Sequence, residues 1–310
     1  MPATTPRTNQ LGIITATFAR DIDAFSSLRE SLDRFAPTLT QLAIVHREDL
    51  PLFQRRFQNH PRLILKGTHE VLPRSLERIR RAFRHRWLKN LYRLVYARWY
   101  SGWHFQQLSK IYALAQCPFE VGLFIDSDCL VREPFDGRWC FDDHNRLKLF
   151  RRAAINAEHA AFDVTTYRLL RQPLHHIKTL YDYIYQPTLF YKRTALTLLK
   201  ELNRRTAWHY RFLTETMPSE YHLLGYCAHA IENLDGYCVV NEDPDCFHHA
   251  LRYQENRQQW QTLLEDISAN PKPFVWIQST LRLSAAERRQ LVDRIFNLSP
   301  ISESPTHPTR

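Results

Sequence analysis

Short apolar runs alternate with helical periodicity over the first 65 residues, and this alternation constrains the fold more than any other feature. Leu11-Gly-Ile-Ile-Thr-Ala-Thr-Phe18, Gln41-Leu-Ala-Ile-Val45 and Arg62-Leu-Ile-Leu65 are short, apolar and rich in β-branched residues, the pattern of buried strands. Between the first two, Phe25, Leu28, Leu32 and Phe35 recur at helical spacing behind Asp23, a candidate N-cap, and Pro37 ends the pattern. Asp49 to Phe57 reads as a second, shorter helix. Strand, helix, strand, helix, strand predicts an α/β fold with a parallel sheet, since parallel neighbours are joined by helical crossovers.

Further along, Pro73 to about Tyr100 reads as a long basic helix or helix pair, with Leu76, Ile79, Phe83, Trp87, Leu91, Leu94 and Val95 forming one apolar stripe. A helix from Trp103 to Ala115 carries Gln106, Gln107 and Lys110, and the run from Glu120 to Asp128 is an apolar strand ending in two carboxylates. Residues 146–191 mix strand and helix. Helices are expected over Arg193–Asn203, after Ser219-Glu-Tyr221, over Leu251–Ile267 and over Ser284–Phe296, with strands at Tyr237–Val240 and Phe274–Ile277. The 310 residues, 44% hydrophobic, suffice for one domain over 11–298, between tails at 1–10 and 299–310. No internal repeat is present.

The six cysteines include no C-x-x-C pair and no zinc-ribbon spacing, and no stretch nears 18 consecutive apolar residues. Together with the lack of a signal-like apolar run near the N-terminus, this gives a cytoplasmic, reducing compartment as the expectation. Net charge is +10, and 34 of the 42 basic residues are arginine, whose planar fork suits phosphate and carboxylate. An anionic partner is implied.

Asp126-Ser127-Asp128 is the sharpest chemical feature. Two carboxylates at i and i+2 directly after a buried strand stand where ligands bind in open α/β sheets, outside the carboxyl ends of the strands. Their hard oxygens suit Mg²⁺ or Mn²⁺ bridging to nucleotide phosphates, although Asp-x-Asp also occurs as a simple turn cap. A nucleotidyltransferase would use the same pair, and the interleaved Arg, Trp and Tyr of residues 84–103 also admit a basic nucleic-acid- or membrane-binding protein. Only seven glycines are present and no glycine-rich phosphate loop, and no nucleic-acid-binding module is recognised, so no nucleic-acid partner is expected.

Five runs in order carry a family resemblance: Thr15-Ala-Thr-Phe-Ala-Arg-Asp21, Gly102-Trp-His-Phe-Gln-Gln-Leu-Ser-Lys110, Phe124-Ile-Asp-Ser-Asp-Cys-Leu-Val-Arg132, Tyr185-Gln-Pro-Thr-Leu189 and Ser219-Glu-Tyr-His-Leu-Leu-Gly225. Across about residues 11–280 the chain resembles the bacterial GT-A-like glycosyltransferase family carrying the DUF6492 label. Where its relatives tend to carry tyrosine before the last glycine, this chain has Leu224. The resemblance implies a GT-A-like (Rossmann-like), mostly parallel central sheet flanked by helices, with 73–101 as a basic helical insertion. It further implies transfer from a nucleotide sugar, most readily a UDP-sugar, to a saccharide or lipid-linked acceptor in cell-surface polysaccharide synthesis, with Mn²⁺ or Mg²⁺ on the Asp-x-Asp pair.

Roles follow on that reading. Asp128, with Asp126 toward ribose or metal, would hold the cation that stabilises the leaving diphosphate. Thr15, Thr17, Arg20 and Asp21 close the first strand, where base and ribose recognition is expected, though Asp21 also suits a helix cap. Gln107 and Lys110 share a helix face, with Lys110 a point charge for phosphate. Glu220 is the candidate general base for an inverting reaction, and also a fitting charge for a helix start. His248 or His249 is the candidate third metal ligand, with a zinc site of Cys238, Cys246 and His248 a weaker alternative. Gln278 is a candidate substrate contact. Finally, Arg74 to Arg98 carries nine basic residues against Glu77 alone, so this segment could dock on the anionic inner face of the plasma membrane.

Overall fold

The computed structural model describes residues 10–82, 102–153, 157–171, 180–185, 187–215, 217–241, 247–250, 257–270, 272–278, 281 and 283–298. In chain order the strands are β1 (Leu11–Thr17), β2 (Thr40–Val45), β3 (Leu63–Gly67), β4 (Val121–Phe124), β5 (Cys129–Val131), β6 (Leu147–Phe150), β7 (Arg152–Ala153), β8 (Tyr181–Asp182), β9 (Thr188–Tyr191), β10 (Tyr237–Val240), β11 (Phe247–His249) and β12 (Phe274–Trp276). Contacts divide the chain into two compact units, a division that the expected single domain over 11–298 does not draw. The first comprises Met1–Ala19, Leu39–Asp126 and Gly137–Asp243, and the second Arg20–Thr38, Ser127–Asp136 and Pro244–Arg310. The Asp126-Ser127-Asp128 run therefore crosses the boundary.

The first unit is built on a five-stranded sheet in the order β3-β2-β1-β4-β9. β1, β2, β3 and β4 are parallel, as the alternating pattern requires, and β9 closes the edge antiparallel to β4. All seven residues of β1 are buried, including Thr15 and Thr17, which accounts for the continuous apolar run. The helix Gly102–Gln116 packs against β1 and is buried on nearly every side, from His104 and Phe105 through Ala115. A helix enclosed on most sides carries its polar residues into the interior with it, here His104, Gln107, Ser109 and Lys110. Two smaller sheets, parallel β6 with β10 and antiparallel β7 with β8, complete this unit.

In the second unit β12 pairs parallel with β11 and antiparallel with β5. The helix Ile22–Phe35 lies against β5, with the Ser31 hydroxyl accepting from the Val131 N–H at 3.0 Å. Leu130, Leu263, Ile267, Val275, Val292 and Ile295 form the centre of its core. The helix Ala285–Asn297 opens on a capping box in which Ser284 and Glu287 satisfy each other's backbone N–H groups.

Several expectations are corrected. The N-cap position of the first helix is occupied by Asp21 rather than Asp23, without a capping bond from its side chain, and Asp23 instead sits in the first turn, where a negative charge faces the positive end of the helix dipole. Strands β5 and β9 carry too few residues to show a period. The basic segment is described only as the helix Arg74–Ala82; there Leu76 is buried but Ile79, expected on the same apolar stripe, is exposed. Arg80, expected on the basic face, is buried in an ion pair with Glu77 and Glu48. Residues 83–101, 1–9 and 299–310, which hold the rest of the insertion and most of the two tails, lie outside the described residues. Among the described residues no helix is long and apolar enough to cross a membrane. All five described cysteines are free thiols, and Cys246 is not described.

Candidate active site

From β1 the chain moves outward to β2 and then β3, and it returns on the other flank of β1 as β4. The carboxyl ends of β1 and β4 thus form the switch point at which open α/β sheets bind ligands. Thr15, Thr17 and Asp126 stand at those ends. Thr15 is already engaged, its hydroxyl accepting from Gln41 Nε2 at 2.9 Å, so it ties β1 to β2 rather than facing a ligand. Thr17 is different. Its Oγ1 is buried and has no hydrogen-bond partner among the described residues, a polar group in want of one. Beside it Phe18 stacks on His46 at 5.8 Å, and the Ala19 N–H donates to Asp49 at 2.9 Å.

Lys110 is the centre of the first unit's charged cluster. Its Nζ lies 2.7 Å from Asp126 Oδ1 and 3.0 Å from Glu220 Oε1, and it donates to the Tyr221 hydroxyl at 2.9 Å. Lys110 is 2% exposed and Glu220 fully buried. Burial alone would drag the Lys110 ammonium down, but the charges of Asp126 and Glu220 hold it well above its ordinary range. Burial pushes the Glu220 carboxyl up, against the pull of Lys110. The expected point charge for phosphate is therefore consumed internally. The expected general base is an enclosed carboxylate, and a base must reach the proton that it removes. Gln107 is also turned inward, its Oε1 accepting from the Glu220 N–H at 3.3 Å, so it caps that helix rather than meeting a nucleotide. Leu224, at the position that departs from the family pattern, is buried.

In the second unit Asp128 is half-buried and its Oδ1 accepts from the Trp276 indole at 3.0 Å. The Asp128 carbonyl accepts from the Ile277 N–H, which extends the β5–β12 ladder to this residue. Arg288 binds the Ile277 carbonyl through both terminal nitrogens at 2.8 Å and reaches the Asp128 carbonyl at 3.3 Å. Burial pulls its guanidinium below the ordinary range, against the charges of Asp128 and Asp21. Sequence reasoning passed over Arg288 because its partners are backbone carbonyls, which no residue pattern announces. Arg20 is exposed and lies 3.8 Å from Asp21. Gln278, half-buried, follows β12.

His248 does not match its expected role. Its Nδ1 lies 3.1 Å from Asp266 and its Nε2 2.8 Å from the Asn270 carbonyl, so each ring nitrogen already faces a protein acceptor where a metal would have to stand. Among the described residues no three His, Cys, Asp or Glu side chains are grouped to hold a metal. Asp126 and Asp128 do fit a hard divalent cation by donor chemistry, and Asp126 already draws a cation, Lys110, into contact.

A second buried cluster in the first unit was not singled out from the sequence. Asp182 accepts from Arg152 at 3.0 Å and from the Ile184 N–H at 2.8 Å, and the His222 ring lies 3.8 Å away, stacked on Phe162 at 5.1 Å. Asp163 accepts from the Tyr181 N–H at 2.6 Å. Burial, reinforced by the charge of Asp182, raises the Asp163 carboxyl to about 7. Between about pH 4 and pH 7 the folded chain thus keeps a proton that the unfolded chain has released, so this group costs stability as pH rises and the full cost remains above 7. Asp163→Asn preserves the acceptor for Tyr181 and removes the charge. It is expected to stabilise the protein at pH 8 by on the order of 2 kcal/mol and to be neutral near pH 4. Urea midpoints at the two pH values check this, and an equal shift at both would contradict it.

The family model described as a family of unknown function (DUF6492) matches residues 8–300. The chain belongs to this family. No curated protein matches it. Among solved structures, this DUF6492 chain is similar to a complex of the galactosyltransferase LgtC with donor and acceptor sugar analogs, at 11% identity over 94% of this chain and 98% of that one, TM-score 0.43. It is also similar to the glycosyltransferase GlyE of Streptococcus pneumoniae TIGR4, at 11% identity, TM-score 0.43, covering 92% of this chain but only 60% of that one. Mouse xyloside xylosyltransferase 1 matches at 6% identity over 88% and 99% of the two chains, TM-score 0.39.

Proposed function

We propose that this protein is a glycosyltransferase that takes a sugar from a nucleotide-sugar donor, most readily a UDP-sugar, to a saccharide or lipid-linked acceptor in cell-surface polysaccharide synthesis. The observation that carries the reading is the Asp126 carboxylate just past the carboxyl end of β4, with the adjacent strand β1 ending on the buried Thr17 hydroxyl, which has no hydrogen-bond partner among the described residues. That is the switch-point position for a nucleotide, with an acceptor waiting for a donor from ribose or base.

In the reaction the acceptor oxygen forms a bond to the anomeric carbon, the bond from that carbon to the diphosphate breaks with its electron pair leaving on the diphosphate oxygen, and the acceptor hydroxyl's proton passes to that diphosphate or to solvent. Asp126 and Asp128 would hold Mg²⁺ or Mn²⁺, which when bound supplies Lewis-acid neutralisation of the departing diphosphate. Asp126 is kept in place by Lys110. Asp128 is fixed through its side chain by Trp276 and through its carbonyl by Arg288, which makes Arg288 a positioning residue. Glu220 acts through Lys110 and is likewise a positioning residue.

Asp128→Ala is expected to lower turnover by at least about a hundredfold while leaving the fold intact. Thermal shift and calorimetry with UDP-, GDP-, CMP- and TDP-sugars, with and without Mn²⁺, should show a metal-enhanced hit, with nucleoside diphosphate (monophosphate from a CMP donor) as product. No shift with any nucleotide would overturn the reading, and release of pyrophosphate would make the protein a nucleotidyltransferase instead.

A cytoplasmic enzyme using a lipid-linked acceptor would work at the inner leaflet. Arg74, Arg78 and Arg81 are exposed on the helix Arg74–Ala82 and support contact with anionic lipid. Reversing these three charges to glutamate is expected to reduce flotation with phosphatidylglycerol liposomes severalfold, and unchanged flotation would remove the idea.

A further inference from the structure

Lys110 contacts three groups at once, Asp126, Glu220 and the Tyr221 hydroxyl, and an ammonium has only three protons to give. Its single charge is divided between two carboxylates. The three charges sum to a net of −1 in a site where Glu220 is fully buried and Glu220 Oε2 has no hydrogen-bond partner among the described residues. Asp126 is the member open to solvent, with its side chain 24% exposed. An ammonium held by one carboxylate would neutralise it fully. Held by two, it leaves Asp126 with part of its negative charge facing outward.

We propose that Lys110 is the resident counter-cation of Asp126, and that Glu220 sets the affinity of Asp126 for a divalent cation by taking a share of Lys110. The assignment rests on the reading above that Asp126 is a cation ligand, and deepens it. It gives Glu220 a role that an enclosed carboxylate can fill: it never meets the acceptor, and it governs how much of Asp126 remains available. Lys110 also stays in place when a cation arrives, because Glu220 and Tyr221 retain it.

The test is Mn²⁺ binding to the purified full-length protein, read by electron paramagnetic resonance of free Mn²⁺ and by calorimetry, without donor or turnover. Glu220→Gln keeps shape and leaves Lys110 to Asp126 alone, so affinity should fall about tenfold. Lys110→Met removes the positive charge that the two carboxylates share, and affinity should rise about tenfold. The double variant restores the net charge of −1 and should bind within about threefold of the parent. A merely structural role would weaken binding in every variant, so this opposite pair of shifts is diagnostic. Equal affinity of Glu220→Gln and parent, with the parent binding Mn²⁺, overturns this proposal alone. No binding by the parent overturns the cation-site reading itself. If Lys110→Met does not fold, the fall in Glu220→Gln and its reversal in the double variant still decide the matter.

Discussion

Lys110→Met is expected to destabilise the protein by about 3–5 kcal/mol, the usual cost of breaking a buried ion pair by removing one partner. The loss is asymmetric. Asp126 can be solvated when its cation goes, but Glu220 is fully enclosed and its Oε1 loses the ammonium 3.0 Å away. Methionine fills most of the lysine's volume, so cavity formation contributes little and uncompensated charge dominates. For the same reason Lys110→Met/Glu220→Gln should recover most of the stability, since it deletes the stranded carboxylate along with its partner. Urea unfolding followed by tryptophan fluorescence reads both. A single variant as stable as the parent would show that the ammonium does not hold the cluster together. A double variant as unstable as the single one would place the cost in packing instead of charge.

The same lysine shows where the sequence was informative and where it was not. Three apolar runs in 65 residues specify parallel strands because their period and length permit little else, and β1, β2 and β3 fall within two residues of those runs. Asp126 was legible for the same reason: a carboxylate that ends an apolar strand must stand at the rim of the sheet. What could not be read was the direction in which Lys110 points. Its spacing from Gln107 marks a shared helix face, but whether that face is wet depends on the elements packed around Gly102–Gln116. One of them is the helix beginning at Glu220, which is more than 100 residues away in sequence. His248 failed similarly: Asp266 and Asn270, which occupy its ring nitrogens, belong to a helix and its end that no local pattern links to a strand histidine. Arg288 was hidden among the exposed arginines of its helix, because its partners are carbonyls at the end of β12.

Arg80→Met should cost about as much as Lys110→Met, about 3–5 kcal/mol, and its effect should be felt elsewhere in the first unit. The Arg80 guanidinium forks between two carboxylates: Nε and Nη2 donate to Glu77 at 2.8 Å, and Nη1 and Nη2 donate to Glu48 at 3.0 and 2.6 Å. Burial alone would lower its pKa, but Glu77 and Glu48 hold it well above the ordinary range, so the charge is permanent. The fork ties the helix Arg74–Ala82 to the turn that follows β2. Arg80→Lys keeps the charge but cannot engage both carboxylates bidentately, so an intermediate loss is expected, and Arg80→Met/Glu77→Gln should regain part of it. Hydrogen exchange decides between a local and a global origin. Faster exchange confined to residues 74–82 and the turn after β2 is the expected outcome, while unchanged exchange there in Arg80→Met would mean that Leu76, fully buried on the same helix, anchors it alone. The expected pattern also separates two uses of one basic helix. Arg80 is internal structure, and among the described residues of this helix Arg74, Arg78 and Arg81 remain to meet an anionic surface. A lipid-binding defect in Arg80→Met should therefore follow its loss of stability, whereas the defect in the three-residue reversal should appear with the fold unchanged.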